Sequence, residues 1–144
     1  MFKRILVPTD GSDITAHAVD TAIQLAKVHG AQLLTLSVME PFPYSAVSEI
    51  QPVPPQEFID AQLRVATKRV EDVCATAAAQ GMSCRGHTTE ALHAWEAIVD
   101  HAKAEQVDLI VMASHGRKGF AALLLGSEAQ KVLTHIDLPV LIVK

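Results

Sequence analysis

The sequence predicts an α/β domain in which a five-stranded parallel sheet carries helices on both faces. Three observations support this fold class. Five short apolar runs alternate with four segments of helical periodicity, several runs lack the polar alternation of half-exposed strands, and the first two runs are joined by a helix of crossover length. Such a crossover is right-handed, and we expect the doubly wound strand order 3-2-1-4-5. With 144 residues, the chain fits a single domain over residues 1–144.

The first third of the chain forms a βαβ unit. Phe2–Val7 is a β-rich apolar run and predicts the first strand. A helix follows, which Ser12 or Asp13 can cap and which Gly30 ends. Leu33–Val38 predicts the second strand. The two strands are therefore parallel neighbours in the predicted sheet.

The middle of the chain begins with a proline-rich connection. The segment Glu40–Pro55 contains five prolines, which exclude regular structure, and we interpret it as a mobile flap near the strand ends rather than a domain linker. Gln56–Gln80 has helical periodicity and is closed by Gly81. Ser83–Thr88 is a less apolar strand, which indicates an edge position.

The last third supplies two more helices and two more strands. Ala91–Ala104 predicts the third helix, and Val107–Met112 is the clearest buried strand in the chain. The final helix begins at Ser127, where Ser127-Glu128-Ala129-Gln130 matches a capping box. Leu138–Val143 predicts the fifth strand.

Composition excludes several classes of protein. Hydrophobic residues make up 49% and charged residues 19%, so the chain has enough apolar material for a core and is not a disordered sequence. The net charge of -4 and the scattered basic residues argue against nucleic acid as a partner. The apolar stretch Ile5–Val7 is too short for a signal peptide or a membrane span, so we expect a cytoplasmic protein.

The two cysteines, Cys74 and Cys84, form no C-x-x-C motif and lie on a predicted helix and the strand after it. In a reducing compartment, two ordinary half-buried thiols are favoured over a disulfide or a metal pair.

The stretch Ala113–Ser127 is the candidate ligand loop. It joins a buried strand to a helix through glycines, and unpaired amides at a helix N-terminus attract anions. It matches neither a Walker loop nor the dinucleotide fingerprint G-x-G-x-x-G. Arg117 and Lys118 could neutralise the β- and γ-phosphates of a nucleotide, or they could be solvated loop cations. A phosphate-bearing ligand is therefore the first hypothesis for this loop.

A nucleotide at the carboxyl ends of the strands would need partners from other loops. Asp10 could accept a hydrogen bond from a ribose hydroxyl or hold a metal ion, and its alternative role is that of a turn or cap residue. Val38 could flank a base. For Ser127 the alternative is a simple N-cap, and for His115 it is a solvated loop side chain. Trp95 lies on an apolar helix face and is expected in the core or at a dimer surface.

Several stretches, spread over essentially the whole chain, form a specific combination. They are Val7-Pro8-Thr9-Asp10-Gly11-Ser12, Asp108-Leu109-Ile110-Val111-Met112, Ser114-His115-Gly116-Arg117, a nine-residue gap from Gly116 to Gly126-Ser127, and Leu138–Val143. Together they resemble the universal stress protein family. The resemblance implies a homodimer and, in one large subgroup, a bound ATP.

The ATP-binding subgroup carries the motif G-x2-G-x9-G-[ST]. The resemblance assigns its later positions to Gly116, Gly126 and Ser127, with Asp10 on the ribose side and Val38 on the adenine side. It implies ATP or AMP as the ligand, with a nucleotide-bound Mg²⁺ within reach of Asp10. The full set of expected nucleotide-binding residues is Pro8, Thr9, Asp10, Val38, Met112, Ala113, Ser114, His115, Gly116, Arg117, Gly126 and Ser127.

The first glycine of this motif is replaced by Ala113. The replacement is cheap if the backbone there has negative φ. If a positive φ or very close phosphate approach is required, it costs about 1 kcal/mol or more.

The last strand predicts a homodimer on independent grounds. Leu138–Val143 is apolar on both faces and lies at a sheet edge, and pairing two copies across a two-fold axis would satisfy its backbone.

The leading hypothesis is a nucleotide-binding stress-response or signalling protein, and the alternative is a protein-interaction module that binds no nucleotide. We expect no efficient enzyme, because Asp10 is one plausible metal carboxylate and no general base is evident, although slow hydrolysis of bound ATP is compatible with the sequence.

Overall fold

The computed structural model describes residues 1–42, 55–116 and 124–144 of the chain. These residues form five strands and four helices in strict alternation. The elements are β1 Arg4–Pro8, α1 Asp13–His29, β2 Gln32–Met39, α2 Gln56–Ala79, β3 Cys84–Glu90, α3 Ala94–Ala104, β4 Leu109–Ala113, α4 Ser127–His135 and β5 Val140–Val143.

The strands form one parallel sheet in the order β3-β2-β1-β4-β5. This order confirms the prediction, and β3 lies at one edge as its weaker apolar character indicated. The chain moves outward from β1 to β2 and β3 on one side, and then to β4 and β5 on the other. The loops that follow β1 and β4 therefore meet at the topological switch point, where ligands of open parallel sheets bind.

Helices cover both faces of the sheet, as predicted. Successive side chains of a strand point to opposite faces. Ile5 and Val7 of β1 accordingly pack in the cluster beneath α1 and α2, whereas Leu6 packs in the cluster beneath α3 and α4. All three side chains are fully buried. The chain thus has two cores separated by the sheet, which explains why both faces of β1 and β4 are apolar.

Several element boundaries differ from the predicted ones because distant groups fix them. β4 begins at Leu109, not Val107, and the carboxylate of Asp108 accepts hydrogen bonds from the backbone amides of Lys3 (2.8 Å) and Arg4 (3.0 Å) at the start of β1. The predicted start of α3 at Ala91 is wrong, since the Ala91 amide donates to the carbonyl of Met39 (3.1 Å) and continues the β2–β3 pairing.

The helix limits of the βαβ unit agree with the prediction. The Ser12 hydroxyl caps α1 by accepting from the amide of Thr15, and Gly30 ends the helix in the left-handed region with φ 63°. The proline-rich flap predicted for Glu40–Pro55 falls largely on residues 43–54, which lie outside the described residues. Within the described ranges, no helix combines the length and apolar character needed to cross a membrane.

Candidate functional site

The loop between β1 and α1 forms the first wall of the site. Pro8 is the last residue of β1, and the amide of Thr9 continues the sheet by donating to the carbonyl of Leu36 (2.9 Å). The buried Thr9 hydroxyl accepts from the amide of Gly11 (3.2 Å), which turns the chain with φ 78°. This turn places the side chain of Asp10 at the carboxyl end of the central strand.

The carboxylate of Asp10 accepts hydrogen bonds from the first turn of α1. Its Oδ1 accepts from the amide of Ser12 (2.9 Å) and from the hydroxyl of the buried Thr15 (2.7 Å). Its Oδ2 faces Gly116, where an added Cβ would lie 3.0 Å from that oxygen. The loops after β1 and β4 thus meet at Asp10 and Gly116.

The end of β4 provides the second wall. Met112 packs beneath α3 and α4, whereas Ala113 packs in the opposite cluster with β1 and α1. The buried Ser114 continues the ladder by donating its amide to the carbonyl of Val143 (2.8 Å), and its hydroxyl lies 3.1 Å from Nδ1 of the half-buried His115. β5 therefore fixes the backbone at the end of β4.

Ala113 occupies an ordinary strand conformation. Among the described residues other than glycine, Gln106 alone has a left-handed backbone (φ 54°), so the Cβ of Ala113 carries no conformational cost. The backbone at this position therefore does not require the glycine that the ATP-binding motif has in place of Ala113.

Gly126 returns the chain to the end of β4. Its amide donates to the carbonyl of Ser114 (2.7 Å), and an added Cβ would lie 2.8 Å from that same oxygen. Neither Gly116 nor Gly126 has a left-handed φ. Glycine is thus required at Gly126 by close backbone approach rather than by backbone conformation.

The predicted capping box at the start of α4 is wrong. Gly126 is the N-cap and Ser127 is the first helical residue, with an exposed side chain. The side chain of Gln130 donates to the carbonyl of Leu125 (2.8 Å), and Glu128 accepts from the amide of Trp95 (2.7 Å) at the start of α3. The side chains of Gln130 and Glu128 therefore take partners outside the helix, and no side-chain cap covers the first amides of α4.

Val38 lies at the carboxyl end of β2, the strand next to β1. It is partly buried against the cluster beneath α3 and α4, so the structure places it on the same face of the sheet as α4. Arg117, the remaining predicted contact, lies outside the described residues, as do Lys118 and Gly119.

Two residues near Asp10 were not predicted from the sequence. Arg69 of α2 lies against the turn, with Cγ and Nε each 3.3 Å from the position of a Cβ on Gly11. Thr15 is the second. Its position in the first turn of α1, shortly after Asp10, could have indicated a hydrogen bond to that carboxylate. No local signal could find Arg69, because α2 reaches the turn only through the packing of the helices.

A pair of stacked histidines lies between β3 and α3. The rings of His87 and His101 are parallel within 6° with centroids 4.9 Å apart, and both line a cleft of about 290 Å³. Burial lowers the pKa of His101, and the adjacent His87 lowers it further. Over the described ranges, no group of three or more His, Cys, Asp or Glu side chains is arranged to hold a metal ion.

Comparison with known proteins gives consistent matches over the whole chain. The model of the universal stress protein family matches residues 1–144. A universal stress protein of Thermus aquaticus is 36% identical over 146 residues, which covers 100% of each chain. The structure of the protein MJ0577 of Methanocaldococcus jannaschii matches with a TM-score of 0.84 at 27% identity, covering 100% of this chain and 96% of that chain. A universal stress protein in complex with cAMP matches with a TM-score of 0.73 at 25% identity, covering 99% and 97% of the two chains.

Proposed function

Because the chain belongs to the universal stress protein family, we propose that it is a cytoplasmic stress-response protein that binds an adenine nucleotide at the carboxyl ends of β1 and β4. The observation that carries this proposal is the meeting of Asp10 and Gly116 beside the backbone contact between Gly126 and Ser114. It brings a carboxylate, glycine backbone and a helix N-terminus to one place. The similar structure solved with cAMP supports an adenine nucleotide as the ligand class.

The ribose would be recognised by Asp10. Its Oδ1 accepts from Ser12 and Thr15, and its Oδ2 lies on the side of Gly116. A ribose hydroxyl donating to this carboxylate would form a charge-assisted hydrogen bond. Val38, on the neighbouring strand, would supply the apolar contact for the base.

The phosphates would lie at the start of α4. The first amides of the helix have no partner within it, and the positive end of its dipole favours an anion. Ser127 adds a hydroxyl donor at the same point. Gly126 holds this helix start against the carbonyl of Ser114, so its contribution is to position the donors.

We propose ATP as the preferred nucleotide, with AMP as a second ligand, and a nucleotide-bound Mg²⁺ would lie within reach of Asp10. Binding is favoured over catalysis, because efficient phosphoryl transfer needs metal-holding groups and a positioned nucleophile beyond this one carboxylate. Slow hydrolysis of the bound nucleotide is compatible with this site.

We also propose a homodimer that pairs β5 with its copy. β5 is an edge strand of four residues, and Leu141 on it is 39% exposed. Pairing across a two-fold axis would satisfy the free backbone groups of this edge and cover that side chain.

The proposal is tested with Asp10→Asn and the matched control Asp13→Asn. The amide introduced by Asp10→Asn keeps an oxygen that can accept from Ser12 and Thr15, but it lacks the negative charge that faces Gly116. Asp13 is exposed in the first turn of α1. Calorimetric titration with ATP, AMP and cAMP should show affinity lowered at least about tenfold in Asp10→Asn and unchanged in the control. Nucleotide should also be released on acid extraction of the purified wild-type protein.

Equal affinities in the two variants would refute the assigned role of Asp10. Wild-type protein that neither carries nor binds any nucleotide would favour the interaction-module alternative.

A further inference from the structure

The two cysteines of the chain lie together where α2 packs on the edge strand β3. Cys74 is on α2, and Cys84 is the first residue of β3. The helix approaches the strand closely at Gly86, where an added Cβ would lie 3.0 Å from Cβ of Val70 and 3.6 Å from Sγ of Cys74. The absence of a side chain at Gly86 therefore lets the helix bring Cys74 down onto the strand.

The thiol of Cys74 reaches the backbone of Cys84. The Sγ of Cys74 donates to the carbonyl oxygen of Cys84 at 3.4 Å. Both cysteines are half-buried and reduced. Burial raises the pKa of the Cys84 thiol well above its ordinary value, and the neighbouring Cys74 thiol raises it further. Cys74 is thus held at short range from Cys84, whose thiol form is favoured.

The chain between the two cysteines is ordered. They are separated by 10 positions, over which α2 ends and the chain turns at Gly81 with φ 77°. The amide of Met82 donates to the carbonyl of Ala77 (2.9 Å) and fixes the turn. A covalent bond between Cys74 and Cys84 would consequently close a small loop whose ends are already neighbours.

We propose that Cys74 and Cys84 form a reversible intramolecular disulfide when the protein meets a small-molecule disulfide such as oxidised glutathione. This bond would tie α2 to the edge strand β3. It is a modification separate from the nucleotide site, and it leaves the thiols reduced under ordinary reducing conditions.

The reaction is two successive thiol–disulfide exchanges. Cys74 attacks first, because burial disfavours the thiolate of Cys84. The thiol of Cys74 gives up its proton, and its Sγ bonds to one glutathione sulfur. The other glutathione leaves as a thiolate that takes up a proton. Cys84 then gives up its proton and attacks Sγ of Cys74, which breaks the mixed disulfide and releases the second glutathione thiol. Two protein thiols are oxidised, and one glutathione disulfide is reduced to two thiols.

The test is an exchange equilibrium measured under native conditions and again in concentrated urea. The protein is incubated in glutathione buffers of graded composition, quenched with an alkylating reagent and analysed by mass spectrometry under denaturing conditions. The expected product has lost two hydrogens, carries no glutathione and has the mass of a single chain. Because the fold holds the Cys74 thiol 3.4 Å from the carbonyl oxygen of Cys84, the equilibrium constant should be at least about tenfold more favourable in the native protein than in urea.

Cys74→Ser and Cys84→Ser serve as controls, and each should yield only a mixed disulfide or unmodified protein. The oxidised wild type should melt at higher temperature than the reduced form, whereas the two variants should show no such difference. A native equilibrium constant equal to or below that in urea, two glutathiones on the folded wild type, or a lower melting temperature after oxidation would overturn the proposal.

Discussion

Replacing Ala113 by glycine restores the first glycine of the ATP-binding motif, and the structure predicts that this change costs stability and gains no affinity. Ala113 is 9% exposed and packs in the cluster beneath α1. Removing its methyl group forfeits about 0.8 kcal/mol of burial, and glycine within a strand costs about 0.5–1 kcal/mol in chain entropy. We therefore expect the free energy of unfolding to fall by about 1–2 kcal/mol.

Urea denaturation followed by circular dichroism measures this loss, and calorimetric titration measures the affinity for nucleotide. Since the Ala113 backbone lies outside the left-handed region and its methyl group points into the core beneath α1, the dissociation constant should stay within about threefold of wild type. An affinity increased about tenfold or more would refute this reasoning, because it would show that the methyl group obstructs the phosphates. An unchanged free energy of unfolding would refute the packing assigned to Ala113.

Three further changes test other parts of the structure. Gly126→Ala brings a Cβ to 2.8 Å from the carbonyl oxygen of Ser114. It should therefore lower the free energy of unfolding by about 1–3 kcal/mol and weaken nucleotide binding. A loss of unfolding free energy below about 0.5 kcal/mol in urea denaturation would contradict this. The pKa of His101 is lowered in the fold, so the stability linked to its neutral form is present above the ordinary histidine pKa and is lost as the pH falls from there through the lowered pKa of the folded state. The melting temperature should therefore fall more between about pH 7.5 and pH 5 in wild type than in His101→Gln, and equal slopes would count against the shift. Leu141→Lys should convert the proposed dimer to monomers in light scattering, and an unchanged dimer would exclude β5 as its interface.

The sheet was predictable because its signals are local. Apolar runs marked the buried strands, and the weaker run that became β3 marked an edge. The boundaries were less predictable where a distant partner decides them. The sequence places Asp108 in a strand. In the structure its carboxylate instead accepts hydrogen bonds from the backbone amides of Lys3 and Arg4.

The start of α4 shows the same limit. Ser127 and Gln130 have the spacing of a capping box, yet their roles depend on neighbours in the fold. Gln130 bonds the carbonyl of Leu125, and Glu128 bonds the start of α3. A side chain that finds a tertiary partner no longer serves its own helix, and spacing alone cannot show which outcome prevails.

The candidate site was predictable in its composition and not in its geometry. The spacing of Gly116 and Gly126 singled out the loop that meets Asp10, but the sequence could not tell whether these glycines supply unusual backbone angles or allow close approach. The structure shows close approach at both. Arg69 was beyond prediction, because a helix far along the chain carries it to the Asp10 turn.

The link between α3 and α4 has a practical consequence. Trp95 is the only tryptophan in the sequence, its amide is bound by Glu128, and its ring centroid lies 4.3 Å from that of His135 at the other end of α4. Its indole N–H is buried and has no hydrogen-bond partner in the described part of the chain. The tryptophan emission of the native protein therefore originates from one position that both ends of α4 touch. The fluorescence of Trp95 therefore reports how α4 packs against α3, and this packing can be monitored without an external label.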